Sequence, residues 1–351
     1  MADVTTNQEK NRSFGELIKE IFVYGKSMVP ALLVLMVLLL LFFGLATPHF
    51  FSLQNFKAII SNMPVHAIVA VGMALVMLSG GFVDLSVGSV LGFTAVVAVL
   101  FHYAGLPAWL VVFFSMFIGL GLGSVNGVLI TRVGINPLIV TLGMMAFARG
   151  LASWFTLEIE ALKVGRIFDQ NFLLISRLYI PRDLQIVPIT LIYLIVLYTF
   201  VSLILKYTKY GRNLYATGAN EYAARLAGIN VRRMRFLSYM ICGVTASLAG
   251  VILLGQLSIG RDDAGTGAEL FVITAVVLGG VSLEGGKGNL VGVILAVFIL
   301  GIIRNGMVHL QEVVGISYYW REVVKGAVLI LAISIDAARN DEEKKRQVVR
   351  Q

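Results

Sequence analysis

Residues 215–236 read YATGANEYAARLAGINVRRMRF, a polar and charged stretch lying between two long apolar runs. Asn220 is a good N-cap, and Glu221 sits in the first turn, where negative charge suits the helix dipole. Tyr222 to Ala227 are compatible with a helix, and Gly228 is placed to end it in the left-handed conformation. The stretch predicts one short helix with both ends specified. Ala223, Ala224 and Ala227 are small enough to let it approach a groove closely, with Leu226 as an apolar anchor and Arg225 able to form an ion pair. A simple chain reversal needs far fewer residues than the segment 206–235, so the helix must be read against the solvent around it.

That solvent is lipid. Hydrophobic residues make up 58% of the 351 and charged residues only 14%, with a mean hydropathy of +0.87, which leaves too little polar surface for a water-soluble globule. The expectation is an all-α polytopic membrane protein. Cys242 is the single cysteine and excludes an intrachain disulfide, while the four histidines, at 49, 66, 102 and 309, lack metal-ligand spacing. Glycine is frequent, with 36 residues, and Gly119, Gly123 and Gly127 form a row spaced by four, a pattern that lets helices pack closely where lipid gives no hydrophobic drive.

A span needs about 20 apolar residues to cross about 30 Å of hydrocarbon. Ten spans are expected, near 28–46, 65–79, 85–103, 108–131, 135–157, 186–205, 236–258, 268–283, 289–310 and 317–335. The second and eighth look short and run into double glycines, as broken or re-entrant helices do. The first is too long and lacks the basic flank of a cleaved signal, so it reads as a retained span. Segment 206–235 carries Lys206, Lys209, Arg212, Arg225, Arg232, Arg233 and Arg235 against the single acid Glu221, which predicts a cytoplasmic loop. An even span count then puts the tails 1–27 and 337–351 on the cytoplasmic side of a transmembrane domain 28–336, with loop 158–185 outside. The net charge of +8 is accounted for by this asymmetry and by contacts with anionic membrane lipid, and no nucleic acid partner is expected.

Five blocks carry a resemblance: GGFVDLSVGSVLG at 80–92, INPLIVTLGMMAFARG at 135–150, GRNLYATGANEYAARLAGI at 211–229, AVVLGGVSLEGGKGNLVG at 275–292 and YYWREVVKGAVLILAISID at 318–336. In this order they resemble the membrane permease of bacterial ABC importers for monosaccharides, the ribose, xylose, arabinose, galactose and autoinducer permeases. Phe82-Val83 departs from that pattern, in which one residue usually separates the second glycine from Asp84. The resemblance implies a multi-pass protein of the bacterial inner membrane that translocates a sugar by alternating access. It implies three partners: a second permease subunit, a periplasmic sugar-binding protein and an ABC ATPase subunit, which binds the ATP and magnesium. No cofactor is expected in this chain. Residues 220–228 resemble the coupling helix that inserts into the ATPase, with Asn220, Glu221, Ala223, Ala224, Arg225, Leu226, Ala227 and Gly228 as the coupling residues.

The residues alone suggest further features. Gly80, Asp84, Gly88 and Gly92 recur as Gly280, Glu284, Gly288 and Gly292 at an offset of two hundred, which suggests an internal repeat. Asp84, Ser86 and Asn126 are candidates to line the translocation path, since ionisable groups inside a membrane are functional by default. Asp84, followed by Leu85 and Ser86, equally reads as the cap of the third helix, at a junction close to water. Arg149, Arg304 and Asn305 are polar groups in or near the spans, suited to interhelical hydrogen bonds. GGVSLEGGKG fails as a phosphate loop, because Val281 stands where the first glycine is needed and Gly288 where Ser or Thr is needed. No catalytic residue is expected. Two rivals stay open: an ion-coupled carrier using Asp84, and an ABC permease for branched-chain amino acids or another small solute.

Overall fold

In lipid a backbone must satisfy its own hydrogen bonds, and the apolar runs do so as helices. The computed structural model describes residues 28–80, 83–158, 167, 169–180 and 187–349. Tail 1–27, Phe82 and much of the loop 158–185 lie outside these. In chain order the helices are α1 Val29–Ala46, α2 Leu53–Leu78, α3 Val87–Tyr103, α4 Ala108–Val128, α5 Pro137–Glu158, α6 Gln170–Arg177, α7 Ile189–Tyr207, α8 Lys209–Ala219, α9 Glu221–Leu226, α10 Val231–Leu257, α11 Ala268–Leu278, α12 Leu290–Val314 and α13 Trp320–Val349. A π-helical turn, Leu129–Val133, extends α4, and a two-residue antiparallel pair, Tyr179–Ile180 with Val187–Pro188, precedes α7.

Among the described residues, seven helices are long and apolar enough to cross a membrane: α1, α2, α4 with its π-turn, α5, α7, α10 and α12. α3 and α11 are apolar but shorter. The tenth expected span lies within α13, which runs without a break through the segment expected to be a separate tail, as far as Val349. The second span is not short. It begins twelve residues earlier than expected, at Leu53, where Ser52 caps it by accepting from the Asn55 backbone N at 3.2 Å. Asn55, Lys57, Ser61 and Pro64 break the apolar run, but the helix continues through them and the fold satisfies Asn55 and Ser61. Asn55 Nδ2 donates to the Phe50 carbonyl at 2.8 Å, its Oδ1 accepts from Asn305 Nδ2 at 2.8 Å, and Ser61 Oγ donates to the Lys57 carbonyl at 2.7 Å.

The bundle is organised around α10. The Gly119, Gly123 and Gly127 row of α4 lies directly on it. A methyl at Gly119 would overlap the Gly243 carbonyl oxygen, one at Gly123 the Tyr239 carbonyl oxygen, and one at Gly127 would come within 2.8 Å of Phe236. The descending register makes α4 and α10 antiparallel. α2 is also antiparallel to α10: Gln256 Nε2 donates to the Ser61 carbonyl at 2.8 Å, while Arg235 reaches the Ser79 carbonyl at the other end of α2.

The repeat at an offset of two hundred holds only at its start. Gly80 and Gly280 both follow a helix with positive φ, 70° and 89°. Beyond them the environments diverge, because Gly88 packs within α3 against Gly265, whereas Gly288 sits in a turn ahead of α12. A different pairing fits the fold. Leu78, Ser79, Gly81, Asp84 and Gly88 match Leu257, Ser258, Gly260, Asp263 and Gly267 at a constant offset of 179. Each set follows a long helix, α2 or α10, and leads into a shorter one, α3 or α11. Because α2 and α10 are antiparallel, the two units are inverted, and their re-entering segments meet where a methyl at Gly265 would overlap the Gly88 carbonyl oxygen.

Candidate functional site

The segment 206–235 forms two helices, not one. Thr208 caps α8 by accepting from the Gly211 backbone N at 3.3 Å, and Asn220 ends α8 and begins α9. Asn220 Oδ1 accepts from the Ala223 backbone N at 2.9 Å, the bond expected of an N-cap. At the other end Gly228 has φ 77°, and the Gly228 and Ile229 nitrogens donate back to the Arg225 and Ala224 carbonyls, both at 3.0 Å. This is the left-handed stop that the sequence predicted.

The faces of α9 differ from the expectation at one residue. Ala224 is only 3% exposed and packs inward, so it is not available to an outside groove. Ala223 and Ala227 are exposed, and Leu226 and the unforeseen Tyr222 are each 73% exposed. A six-residue helix thus holds two large apolar side chains away from the rest of the chain.

Glu221 ties α9 to the bundle. It pairs with Arg225 on its own helix and, at 2.7 Å, with Arg235 Nη2 on α10. Burial alone would raise the Glu221 carboxyl; the guanidiniums of Arg235 and Arg225 outweigh it and hold the group below its usual range. Arg235 also donates to the Ser79 and Gly80 carbonyls, both at 3.4 Å, at the carboxyl end of α2, where a cation suits the helix dipole. The same end of α2 touches two other segments. The Gly286 nitrogen donates to the Leu78 carbonyl at 3.1 Å. A methyl at Gly218 of α8 would overlap both that carbonyl oxygen and the Gly286 nitrogen, and one at Gly285 would lie 2.5 Å from Gly80 Cα. Tyr215 adds a bond from its hydroxyl to the Gly288 carbonyl at 3.1 Å. Sequence reasoning missed Arg235 as a link, because in the run Arg232, Arg233, Arg235 spacing does not distinguish an anchored guanidinium from a solvated one.

Asp84, Ser86 and Asn126 are brought together. Asp84 Oδ1 accepts from the Ser86 nitrogen at 2.9 Å and from Ser86 Oγ at 2.6 Å, and Ser86 Oγ accepts from Asn126 Nδ2 at 3.0 Å. All three are 1% exposed, so the junction is not close to water. Nor is Asp84 the N-cap: Ser86 holds that position, and Asp84 organises the turn before it. Among the described residues, Asn126 Oδ1 and the hydroxyl of the fully buried Tyr239 have no hydrogen-bond partner. Removing the carboxylate would leave two buried donors unsatisfied. Asp84→Ala is therefore expected to cost about 1–3 kcal/mol of stability, while Asp84→Asn, whose amide oxygen can accept both bonds, stays near wild type. Thermal unfolding of the purified variants checks this, and equal losses for the two would contradict it.

Arg149 donates to the Asp262 carbonyl and, at 3.1 Å, to the Ala264 carbonyl, holding the segment ahead of α11 against α5. Asn305 bonds to Asn55 as an interhelical pair, and Arg304 is exposed. At the carboxyl end of α10, Arg177 of α6 donates to the Gly255 carbonyl at 2.9 Å and to the Gln256 carbonyl at 2.7 Å.

A family model described as branched-chain amino acid transport system / permease component matches residues 55–333. The ribose import permease protein RbsC of Escherichia coli (strain K12) is 38% identical over 304 residues, covering 87% of this chain and 92% of its own. RbsC of Bacillus subtilis (strain 168) is 32% identical over 303 residues, 86% and 91% of the two chains. The galactose/methyl galactoside import permease protein MglC of Escherichia coli (strain K12) is 30% identical over 309 residues, 85% and 90%. No solved structure matches the chain.

Proposed function

This chain belongs to the family described as branched-chain amino acid transport system / permease component, and from that membership we propose that it is the membrane permease of an ATP-driven importer for a monosaccharide. The observation that carries the sugar class is the likeness, over 85–87% of the chain, to relatives named for ribose and galactose import, although the family model itself is described by amino acids. The end of the bundle that carries α8 and α9 faces the cytoplasm on this reading, because it holds the excess of Lys and Arg. α9 is then the element that docks on a separate ATPase subunit, with Tyr222 and Leu226 as its apolar contacts. Glu221 and Arg235 pass its movement to the carboxyl end of α2, and a second permease subunit completes the path. A periplasmic binding protein delivers the sugar to the opposite end, where α6 and the 258–267 segment lie.

The test is uptake. The chain, reconstituted in vesicles with its ATPase and with binding protein outside, is expected to accumulate ribose or galactose only when ATP is present on the α9 side. Accumulation of leucine and of neither sugar would overturn the sugar class. Uptake by the chain alone, driven by an ion gradient, would overturn the importer reading altogether.

A further inference from the structure

Besides the buried Asp84, several charged side chains lie on one side of the bundle, among α5, the 258–267 segment, α11 and α13. α11 has 11 residues and ends at the Gly280 turn. At about 1.5 Å per residue its first turn lies about 16 Å from that end of the bundle, and Glu269 is in this first turn. A methyl at Gly88 would overlap Glu269 Oε2, so the carboxylate rests on the first turn of α3, where the two inverted units meet. Lys325 of α13 stands at the same depth. It lies about three turns before Asp336, which accepts from the Leu283 nitrogen at 3.2 Å near the Gly280 turn. Lys325 Nζ is 3.5 Å from where a methyl at Gly267 would stand and is paired with Glu322. On α5, Arg149 is bound to the 262–264 backbone, and Ser153 Oγ donates to Asp262 Oδ2 at 2.7 Å.

Lys325, Glu322, Asp336, Arg149 and Asp262 have partners. Glu269, which is half-buried, has neither a hydrogen bond nor an ion pair with any described residue. A charged side chain facing hydrocarbon at this depth is expensive, and burying it dry and alone costs more still. The side formed by α5, the 258–267 segment, α11 and α13 therefore does not face lipid. Resting on the permease reading above, we infer that this side lines the translocation path and that Glu269 accepts hydrogen bonds there from the hydroxyls of the passing sugar. The chemistry suits a neutral polyol. A carboxylate acceptor on the same side of the bundle as the cations Lys325 and Arg149 offers hydroxyl groups both acceptors and donors, while Glu269 repels an anionic solute and gains nothing from an apolar side chain.

The test uses the complete importer in vesicles, with ribose as the probe. Glu269→Gln keeps one acceptor oxygen but loses the charge, and is expected to lose less uptake than Glu269→Ala. Glu269→Ala is expected to lose about tenfold or more in uptake while still co-purifying with the ATPase. In a Cys242→Ser background, Glu269→Cys should react with a small, charged, membrane-impermeant thiol reagent, and ribose with binding protein should slow the reaction. Wild-type uptake by Glu269→Ala overturns the inference. So does a cysteine at 269 that stays unreactive in every nucleotide state, which would place it against a second subunit or lipid. If the wild-type complex carries no monosaccharide, the sugar reading falls by itself, and the reactivity at 269 still reports whether an aqueous path passes there.

Discussion

On the reading proposed above, Leu226→Asp is expected to separate this chain from an ATPase subunit while leaving the chain folded. The side chain is 73% exposed, so the substitution removes little internal packing, and exposed changes of this kind usually alter stability by about 0.5 kcal/mol or less. In a dry interface the same carboxylate would be unpaired, at a cost of several kcal/mol, where each 1.4 kcal/mol is about tenfold in affinity. Co-purification of the ATPase should fall by about two orders of magnitude, with sugar-dependent ATP hydrolysis lost alongside it. Tyr222→Asp should behave in the same way. Ala224→Asp should not, because Ala224 is buried within the chain, so its charge would strike the fold first and lower expression and thermal stability. Normal co-purification and transport for both Leu226→Asp and Tyr222→Asp would return α9 to a chain reversal.

Gly218→Val is expected to break the link between α8 and the core. Its side chain would overlap backbone atoms of two other segments, the Leu78 carbonyl oxygen and the Gly286 nitrogen, and neither can rotate away as a flexible side chain would. Overpacking typically costs about 1–3 kcal/mol, and the upper end applies when backbone has to move. The three segments would have to separate, which also strips the Leu78 carbonyl of its bond from Gly286. Lowered thermal stability with uptake abolished is the expected result. Gly143→Ala is the matched control: Gly143 lies within α5 with nothing within 4 Å of the added methyl, so the change should be neutral or should gain about 0.5–1 kcal/mol from helix propensity. Equal behaviour of the two variants would show that the close approach at Gly218 does not hold the junction together.

Both experiments act on one chain of contacts. α9 is fastened by Glu221 to Arg235, Arg235 grips the carboxyl end of α2, and α2 leads through the turn at Gly80 to the buried Asp84, Ser86 and Asn126. A push on α9 is thereby delivered to backbone, where α2, α8 and the Gly285-Gly286 turn are in contact through glycines and have no side chains to absorb it.

Much of this was legible in the residues. Apolar composition dictated helices in lipid, because no water is available there to satisfy a backbone in any other form. Asn220 and Gly228 marked the ends of α9 because capping is local: the bonds they make reach only a few residues along the chain. The row Gly119, Gly123 and Gly127 announced a close helix crossing. What it crossed was not announced. A helix that is apolar all round carries no stripe to say which face meets protein and which meets lipid, so the sequence could not pair α4 with α10, and it could not start α2 at Leu53, where Ser52 caps the helix and Asn305 meets Asn55. In the short, polar α9 it could not say that Ala224 turns inward. Nor could it bring Asn126 to Ser86, forty residues away, or set Glu269 against Gly88 where two inverted units meet. Those contacts depend on the register of antiparallel helices far apart in the chain, and only the packed bundle decides that register.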